Sequence, residues 1–195
     1  MKHLIAVVLL FCLGAPALAQ EITEPRSGVK FAAKEGDATL LGTGLRTKTM
    51  LKVKVYAIGL YVVDSTLSGA LKGKAGTPDL YRELLSGDFK KYVVMKFVRD
   101  VSAGQIRDAF RESLREAGPR VEDWLNNFND LRSGQEIVIA WVPGTGLTTK
   151  VAGVEKPVVD NKTFASAVFG IWLGEKPVQD DIKKDLVSRA GELLK

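Results

Sequence analysis

From Leu51 to Val63 the chain alternates and then stops alternating. Leu51, Val53, Val55 and Ala57 fall on one side of an extended strand, and Lys52, Lys54, Tyr56, Ile58 and Leu60 on the other. The first half sets basic against apolar positions, so one face there meets solvent or a charged partner. From Val55 onward both faces are apolar apart from tyrosine hydroxyls, the pattern of a strand covered on both sides. Such a strand passes from the edge of a protein into its centre. Ahead of it, Val29 to Ala33 and Ala38 to Leu41 read as two strands joined near Gly36-Asp37. After it, the Gly-, Ser- and Lys-rich stretch from Ser65 to Pro78 breaks the pattern. A short helix follows at Asp79 to Ser86, and then a strand at Tyr92 to Val98.

Ser102 with Gln105 three residues on makes a capping box. It opens a helix with Ile106, Ala109, Phe110, Ser113, Leu114 and Ala117 on one face. Gly118-Pro119 stops that helix and begins another, with Val121, Trp124, Leu125, Phe128 and Leu131 on its apolar side and Gly134 at its end. Glu136 to Val142 and Leu147 to Ala152 form a hairpin around Pro143-Gly144-Thr145-Gly146. Asp160 caps an apolar helix from Thr163 to Leu173, ended by Gly174, and Gln179 to Leu194 is a last amphipathic helix. Strands and helices come in mixed runs without regular βα alternation. The fold class is α+β, an antiparallel sheet with helices on one face.

The first nineteen residues do not belong to that pattern. Met1-Lys2-His3 is a basic lead, Leu4 to Leu13 an unbroken apolar run too short to span a bilayer, and Ala17-Leu18-Ala19 a small-x-small cleavage site. Residues 1–19 are expected to be a signal peptide and residues 20–195 the exported, periplasmic domain. Cys12 as a lipidated residue is disfavoured by the bulky Phe11 before it. Cleavage would take nineteen of the 195 residues and leave 176, enough for one domain with a sizeable core. It would also remove the single Cys, the single His and one Lys, lowering the formal charge from +5 to +4. Without them, cysteine nucleophiles, Ser-His-Asp triads, disulfides and His/Cys zinc sites are excluded. No dense basic patch with interleaved aromatics points to nucleic acid.

Among the remaining candidates, Arg46 follows a Gly-rich segment and precedes the long strand. A chain reversal near Leu51 would set Arg46 across the ladder from Tyr56. A reversal at Thr47-Lys48-Thr49 would separate them. Together in an apolar cavity they would suit a carboxylate or an enolate, the guanidinium offering a planar fork of donors and the phenol a neutral one. On periodicity alone, a solvated or ion-paired strand arginine is the commoner role. Asp123, Asp130, Asp180 and Asp181 fit solvated or capping positions, and Trp124 and Trp172 fit core packing. Lys52 and Lys54 could meet a phosphate or lipid headgroup, which leaves peripheral membrane contact open, although a solubilising edge is commoner. Gly42-Thr43-Gly44-Leu45-Arg46-Thr47-Lys48 echoes Gly144-Thr145-Gly146-Leu147-Thr148-Thr149-Lys150, an echo better explained by turn chemistry or chance than by duplication. Neither copy has the spacing of a phosphate loop.

Four segments resemble the chalcone isomerase-like family: Gly42 to Arg46, Lys52 to Val62, Val101 to Phe110, and Phe169 to Gly174 with Pro177 after it. The resemblance implies an open-faced β-sandwich, a large antiparallel sheet under a layer of helices with the ligand cleft between them. It also implies a division of roles. The family's enzymes stabilise an enolate with an arginine at the place of Arg46. They carry a Thr where Tyr56 stands, a Tyr and an Asn at the places of Ile106 and Ser113, and a Thr or Ser at that of Ile171. Its fatty-acid-binding members hold a carboxylate with an Arg and a Tyr. The resemblance therefore implies a non-catalytic binder of a fatty acid or similar amphipathic carboxylate, with Arg46, Tyr56, Phe110 and Ile171 as ligand-binding residues and no cofactor, metal or catalytic residue. Two alternatives stay open. One is an isomerase or lyase of a phenolic or enolisable substrate using Arg46 as electrophile, and the other is a scaffold acting through a protein partner.

Overall fold

The computed structural model describes residues 20–48 and 51–195; the expected signal peptide lies outside the described residues. The long alternating segment is the spine of the sheet. It forms β5 (Val53–Val63), flanked by β4 (Ala38–Lys48) and β6 (Lys91–Phe97). With β3 (Lys34–Glu35), β7 (Glu136–Val142), β8 (Gly146–Val151) and β9 (Val154–Glu155) they make a seven-stranded sheet in chain order, antiparallel throughout. A separate hairpin of β1 (Glu21–Thr23) and β2 (Lys30–Ala32) precedes it. The predicted strand from Val29 to Ala33 is therefore shorter, and β3 follows it before the turn at Gly36.

Helices cover one face: α1 (Asp64–Leu67), α2 (Pro78–Ser86), α3 (Ala103–Ser113), α4 (Arg120–Leu125), α5 (Lys162–Leu173), α6 (Asp180–Asp185) and α7 (Ala190–Leu193). The main core lies between them and the sheet, where Ile58, Leu60, Val93 and Ile139 meet Phe110, Trp124, Phe169 and Trp172. On the sheet's other face, Phe31 of β2 packs with Ala57, Tyr61 and Val63 of β5 and with Tyr92 of β6. Tyr61 and Tyr92 stack there with ring centres 4.8 Å apart, and the Tyr61 hydroxyl donates to Ala32 O at 2.8 Å. The β1–β2 hairpin is thus what allows the inner half of β5 to be apolar on both sides.

Simple alternation fails at two places: Leu41 is an extra residue in β4, between Leu40 paired with Tyr61 and Gly42 paired with Leu60, and a second irregularity lies nearer the cavity. Arg46 pairs with Tyr56 but Thr47 pairs with Lys54, so Val55 is an extra residue in β5, a β-bulge. Beyond it the strand changes face. Val53 and Val55 share a cavity wall with Tyr56, whereas Lys54 Nζ reaches Arg26 O in the β1–β2 hairpin. Period-2 reading put Val53 and Val55 opposite Tyr56 because it cannot count an inserted residue.

Four helix boundaries also differ from the pattern reading; α3 ends at Ser113, short of the Gly118-Pro119 stop, with Leu114 as its C-cap. The capping box at Ser102 forms as expected, with both of its hydrogen bonds present. On α5, however, Asn161 rather than Asp160 is the cap, its side chain accepting from Phe164 N at 2.8 Å. The helix begun after Pro119 ends at Leu125, and Phe128 and Leu131 are buried from the segment that follows. The last amphipathic stretch is two short helices joined by turns at residues 186–189, where Arg189 N bonds Leu41 O at 3.0 Å and Arg189 Nη1 bonds Leu40 O at 2.7 Å. Docking to β4 interrupts the helix.

The two Gly-Thr-Gly segments serve different ends. Gly42 and Gly44 lie in β4 under α6, and a Cβ on Gly42 would collide with the backbone of Asp185 and Leu186. Gly144 and Gly146 have φ of 77° and 119° at the β7–β8 turn. One pair makes room and the other makes a turn, so the echo carries no duplication.

Candidate functional site

Between the turn end of the β4–β5 hairpin, β6 and helices α3 and α5 lies a cavity of about 580 Å³. Its walls include Arg46, Tyr56, Phe110 and Ile171, so the four residues singled out in the sequence converge on one space. Ile106 and Ser113 line it as well. The remaining wall has apolar Val53, Val55, Met95 and Phe97 from the strands, while Lys48 and Arg99, and on α3 Asp108 and Glu112, bring charge of both signs to it.

Each of these side chains is placed by a local reason. The bulge at Val55 holds Tyr56 across from Arg46 on the helix side of the sheet. Tyr56 is buried, and its ring tilts against Phe97 with centres 5.4 Å apart. Its hydroxyl accepts a hydrogen bond from Trp172 Nε1 at 3.0 Å. That bond occupies the oxygen as acceptor and leaves the phenolic proton free to be given to something else. Burial pushes the Tyr56 phenol up, partly offset by the Trp172 bond and by the Arg46 charge. It is held as a neutral donor.

Arg46 is half-buried. Its Nη1 donates to Thr47 O at 2.8 Å and, longer, to Gln179 Oε1 at 3.4 Å. Gln179 Oε1 also receives Thr47 N at 3.1 Å, and Gln179 Nε2 donates to Leu45 O at 3.2 Å. The amide is a brace between the start of α6 and the end of β4. Among the described residues Nε and Nη2 of Arg46 have no protein acceptor, so the guanidinium keeps a pair of donors for an anion.

The far wall is built on α3 and α5. Phe110 lies against Trp124, Phe128 and Trp172, with ring centres 5.2, 5.1 and 6.3 Å away. Ile171 precedes Trp172 on α5, and Val178 N bonds Ile171 O at 2.7 Å, which turns the chain back toward Gln179. The site therefore has one end with a fixed cation and a neutral hydroxyl, and a mostly apolar body. It can hold an anionic head and an apolar tail. Tyr56, its phenol shifted upward, is a poor base at neutral pH; the carboxylates that line the cavity are Asp108 and Glu112 on α3.

Two members of the site were not found from the sequence. Trp172 has the spacing of a packing residue, and it does pack, but its indole N–H also orients Tyr56. Gln179 gave no signal, being one polar residue at the start of an amphipathic stretch. A second buried cation, Lys91, lies elsewhere. Its Nζ donates to Gly87 O at 2.9 Å and sits over the rings of Phe89 and Phe169, at 4.6 and 5.4 Å. Burial, with Lys162 nearby, lowers its pKa to about 8. The crevice beside it has no room for a water molecule, so it is not a ligand site.

Comparison with known proteins bears on this geometry. Residues 20–188 match the family model described as chalcone isomerase-like. Chalcone isomerase-like protein 1 of Humulus lupulus is 31% identical over 175 residues, covering 78% of this chain and 82% of the relative. Fatty-acid-binding protein 2 of Arabidopsis thaliana is 27% identical over 208 residues, covering 90% of this chain and 52% of its own length. In fold, the crystal structure of an Arabidopsis thaliana fatty-acid binding protein superposes with a TM-score of 0.76 at 21% identity, covering 90% of this chain and 99% of that one. By the family match and by its likeness to the Humulus protein, the chain belongs to the chalcone isomerase-like family.

Proposed function

We propose that this protein binds a fatty acid or similar amphipathic carboxylate in the cavity between sheet and helices, without catalysing its conversion. One observation carries the reading: Arg46, with unspent donors, and Tyr56, with an unspent proton, stand together in a mostly apolar space of about 580 Å³. A carboxylate accepts from both, and an acyl chain fills the hydrocarbon walls. Membership of a family that includes the Arabidopsis fatty-acid-binding protein supports the ligand class. Against an isomerase stand the apolar side chains of Ile106 and Ile171 in the cavity wall.

We take residues 1–19 as a signal peptide, so the protein acts after export, in the periplasm. Native mass spectrometry of protein recovered from the exported fraction tests both statements. The expected species begins at Gln20 and carries a co-purified acyl chain, and the ligand-free form takes up added fatty acid. Chalcone cyclisation is expected to stay at the uncatalysed rate. An intact Met1 overturns the export reading. Turnover that depends on Arg46 overturns the non-catalytic one.

A further inference from the structure

The part of the chain nearest the cavity mouth has an unusual charge record. Between Asp37 and Asp64 there is no acidic residue, while Arg46, Lys48, Lys52 and Lys54 all fall there. Lys48 ends β4, and Leu51 and Lys52 precede β5, so they stand at the turn end of the hairpin. Lys48, Lys52 and Lys54 are exposed, and Leu51 is 86% exposed, the most exposed large apolar side chain among the described residues. Lys48 and Val53 also line the cavity, so this hairpin end borders its mouth. Exposed Arg99 adds a further cation at the same wall. None of the five cations is in an ion pair among the described residues.

The opposite rim offsets only part of this charge. On α3, Asp108 and Glu112 line the cavity, two carboxylates against five cations on and beside the strand wall, and Asp108 is paired with Arg111 at 2.7 Å, an arginine that also bonds Glu122. A lone exposed leucine is ordinary. A leucine at the tip of an unpaired cationic hairpin, beside the entrance to an apolar cavity, has the composition of a membrane-surface anchor. Each cation near an anionic bilayer contributes about fivefold in binding, and the apolar tip adds its own transfer from water. No helix among the described residues is long and apolar enough to cross a membrane, so the contact is peripheral.

We propose that the end of the β4–β5 hairpin docks on an anionic lipid bilayer and sets the cavity mouth at the membrane surface. The cargo of that arrangement rests on the binding function proposed above; the docking itself does not. Flotation of ligand-free protein with vesicles tests it, comparing phosphatidylcholine alone with an equimolar mixture of phosphatidylcholine and phosphatidylglycerol. The expected result is binding to the anionic vesicles only, weakened by added salt. Leu51→Ser should weaken it about tenfold. Lys52→Glu, which removes one attraction and adds a repulsion, should do so by about tenfold or more. Neither side chain lines the cavity, so fatty-acid affinity measured without vesicles should stay unchanged in both. As a direct reporter, the emission of Leu51→Trp should shift to the blue with anionic vesicles alone. Equal binding to both vesicle types, indifference to the two substitutions, or no binding even at low salt overturns the proposal. Retained fatty-acid affinity alongside any of these would show that docking fails while the binding function stands.

Discussion

Arg46 and Tyr56 face one another across a ladder, yet they should not contribute equally. If a carboxylate sits between them, Arg46→Ala should weaken fatty-acid binding by about 2–5 kcal/mol, much of it the penalty of leaving the carboxylate unpaired. Tyr56→Phe removes one neutral donor and should lose about 0.5–1.5 kcal/mol. Neither should harm the empty protein much, and Arg46→Ala could raise its melting temperature by relieving a desolvated cation. Isothermal titration with a soluble fatty acid, alongside thermal unfolding of each ligand-free variant, checks both halves. A large stability loss with unchanged affinity would make Arg46 a structural residue. The pairing was legible in the sequence only as one of two alternatives, because the turn that sets Lys48 against Val53 would by plain register put Val55 opposite Arg46, and the bulge brings Tyr56 there instead. Gln179 was not legible at all, because its role depends on where α6 lands, 132 residues further along the chain than Thr47. Nor could periodicity separate Trp172 as filler from Trp172 as donor to Tyr56, since both place the indole on the same helix face.

Among the elements, β4 and α6 have the closest fit, and it is made by absence of side chains. Gly42→Ala would drive a methyl into the backbone of Asp185 and Leu186, atoms that cannot rotate away. It should cost about 1–3 kcal/mol or more and loosen α6, and with it the Gln179 brace on Arg46. Gly44→Ala meets Ile182 Cα at 3.4 Å, an ordinary contact, and should lie within about 0.5 kcal/mol of the parent. Chemical denaturation of the two variants side by side tests the difference, and equal losses would mean that α6 does not rest on β4 in this way. The sequence displayed these glycines plainly, and their repetition near residue 144 suggested turn chemistry for both. Only the packing of α6 distinguishes them. Elements that depend on local pattern, such as β5 to β8 and the capping box of α3, were read close to their true bounds. Those decided by distant contacts, such as the break between α6 and α7, were not.

At the scale of the whole molecule, two buried charges shape stability against pH. Burial alone would raise the Glu24 carboxyl, but bonds from the Ser27 hydroxyl and amide and from Arg26 outweigh it and hold the group below its usual value. Its contribution is present above the unfolded pKa and lost as pH falls through the folded one. Lys91 acts at the other end. Its pKa falls from 10.5 to about 8 on folding, so between those values the unfolded chain binds more protons and stability rises with pH. Above about pH 10 the buried tyrosines oppose that rise, since the unfolded chain then ionises them more readily. Unfolding free energy should therefore climb from about pH 8 to 10 in the parent and be flatter in Lys91→Met, which should also be the more stable at neutral pH. A parallel profile for the two would place the proton elsewhere.

The closure of the two chain ends on β4 has a consequence in time. Arg26 in the first hairpin is tied to Asp185 in α6, 159 residues away, and Arg189 reaches back 149 residues to Leu40. Gly73 N is bonded by Leu194 O, the next-to-last residue. Contacts of such span cannot form while the chain is still emerging, and loop closure delays them further. The cavity inherits that delay, because Arg46 is positioned by Gln179 and Tyr56 by Trp172. A chain still being made has not assembled this cavity, which is complete only once the last helix has docked.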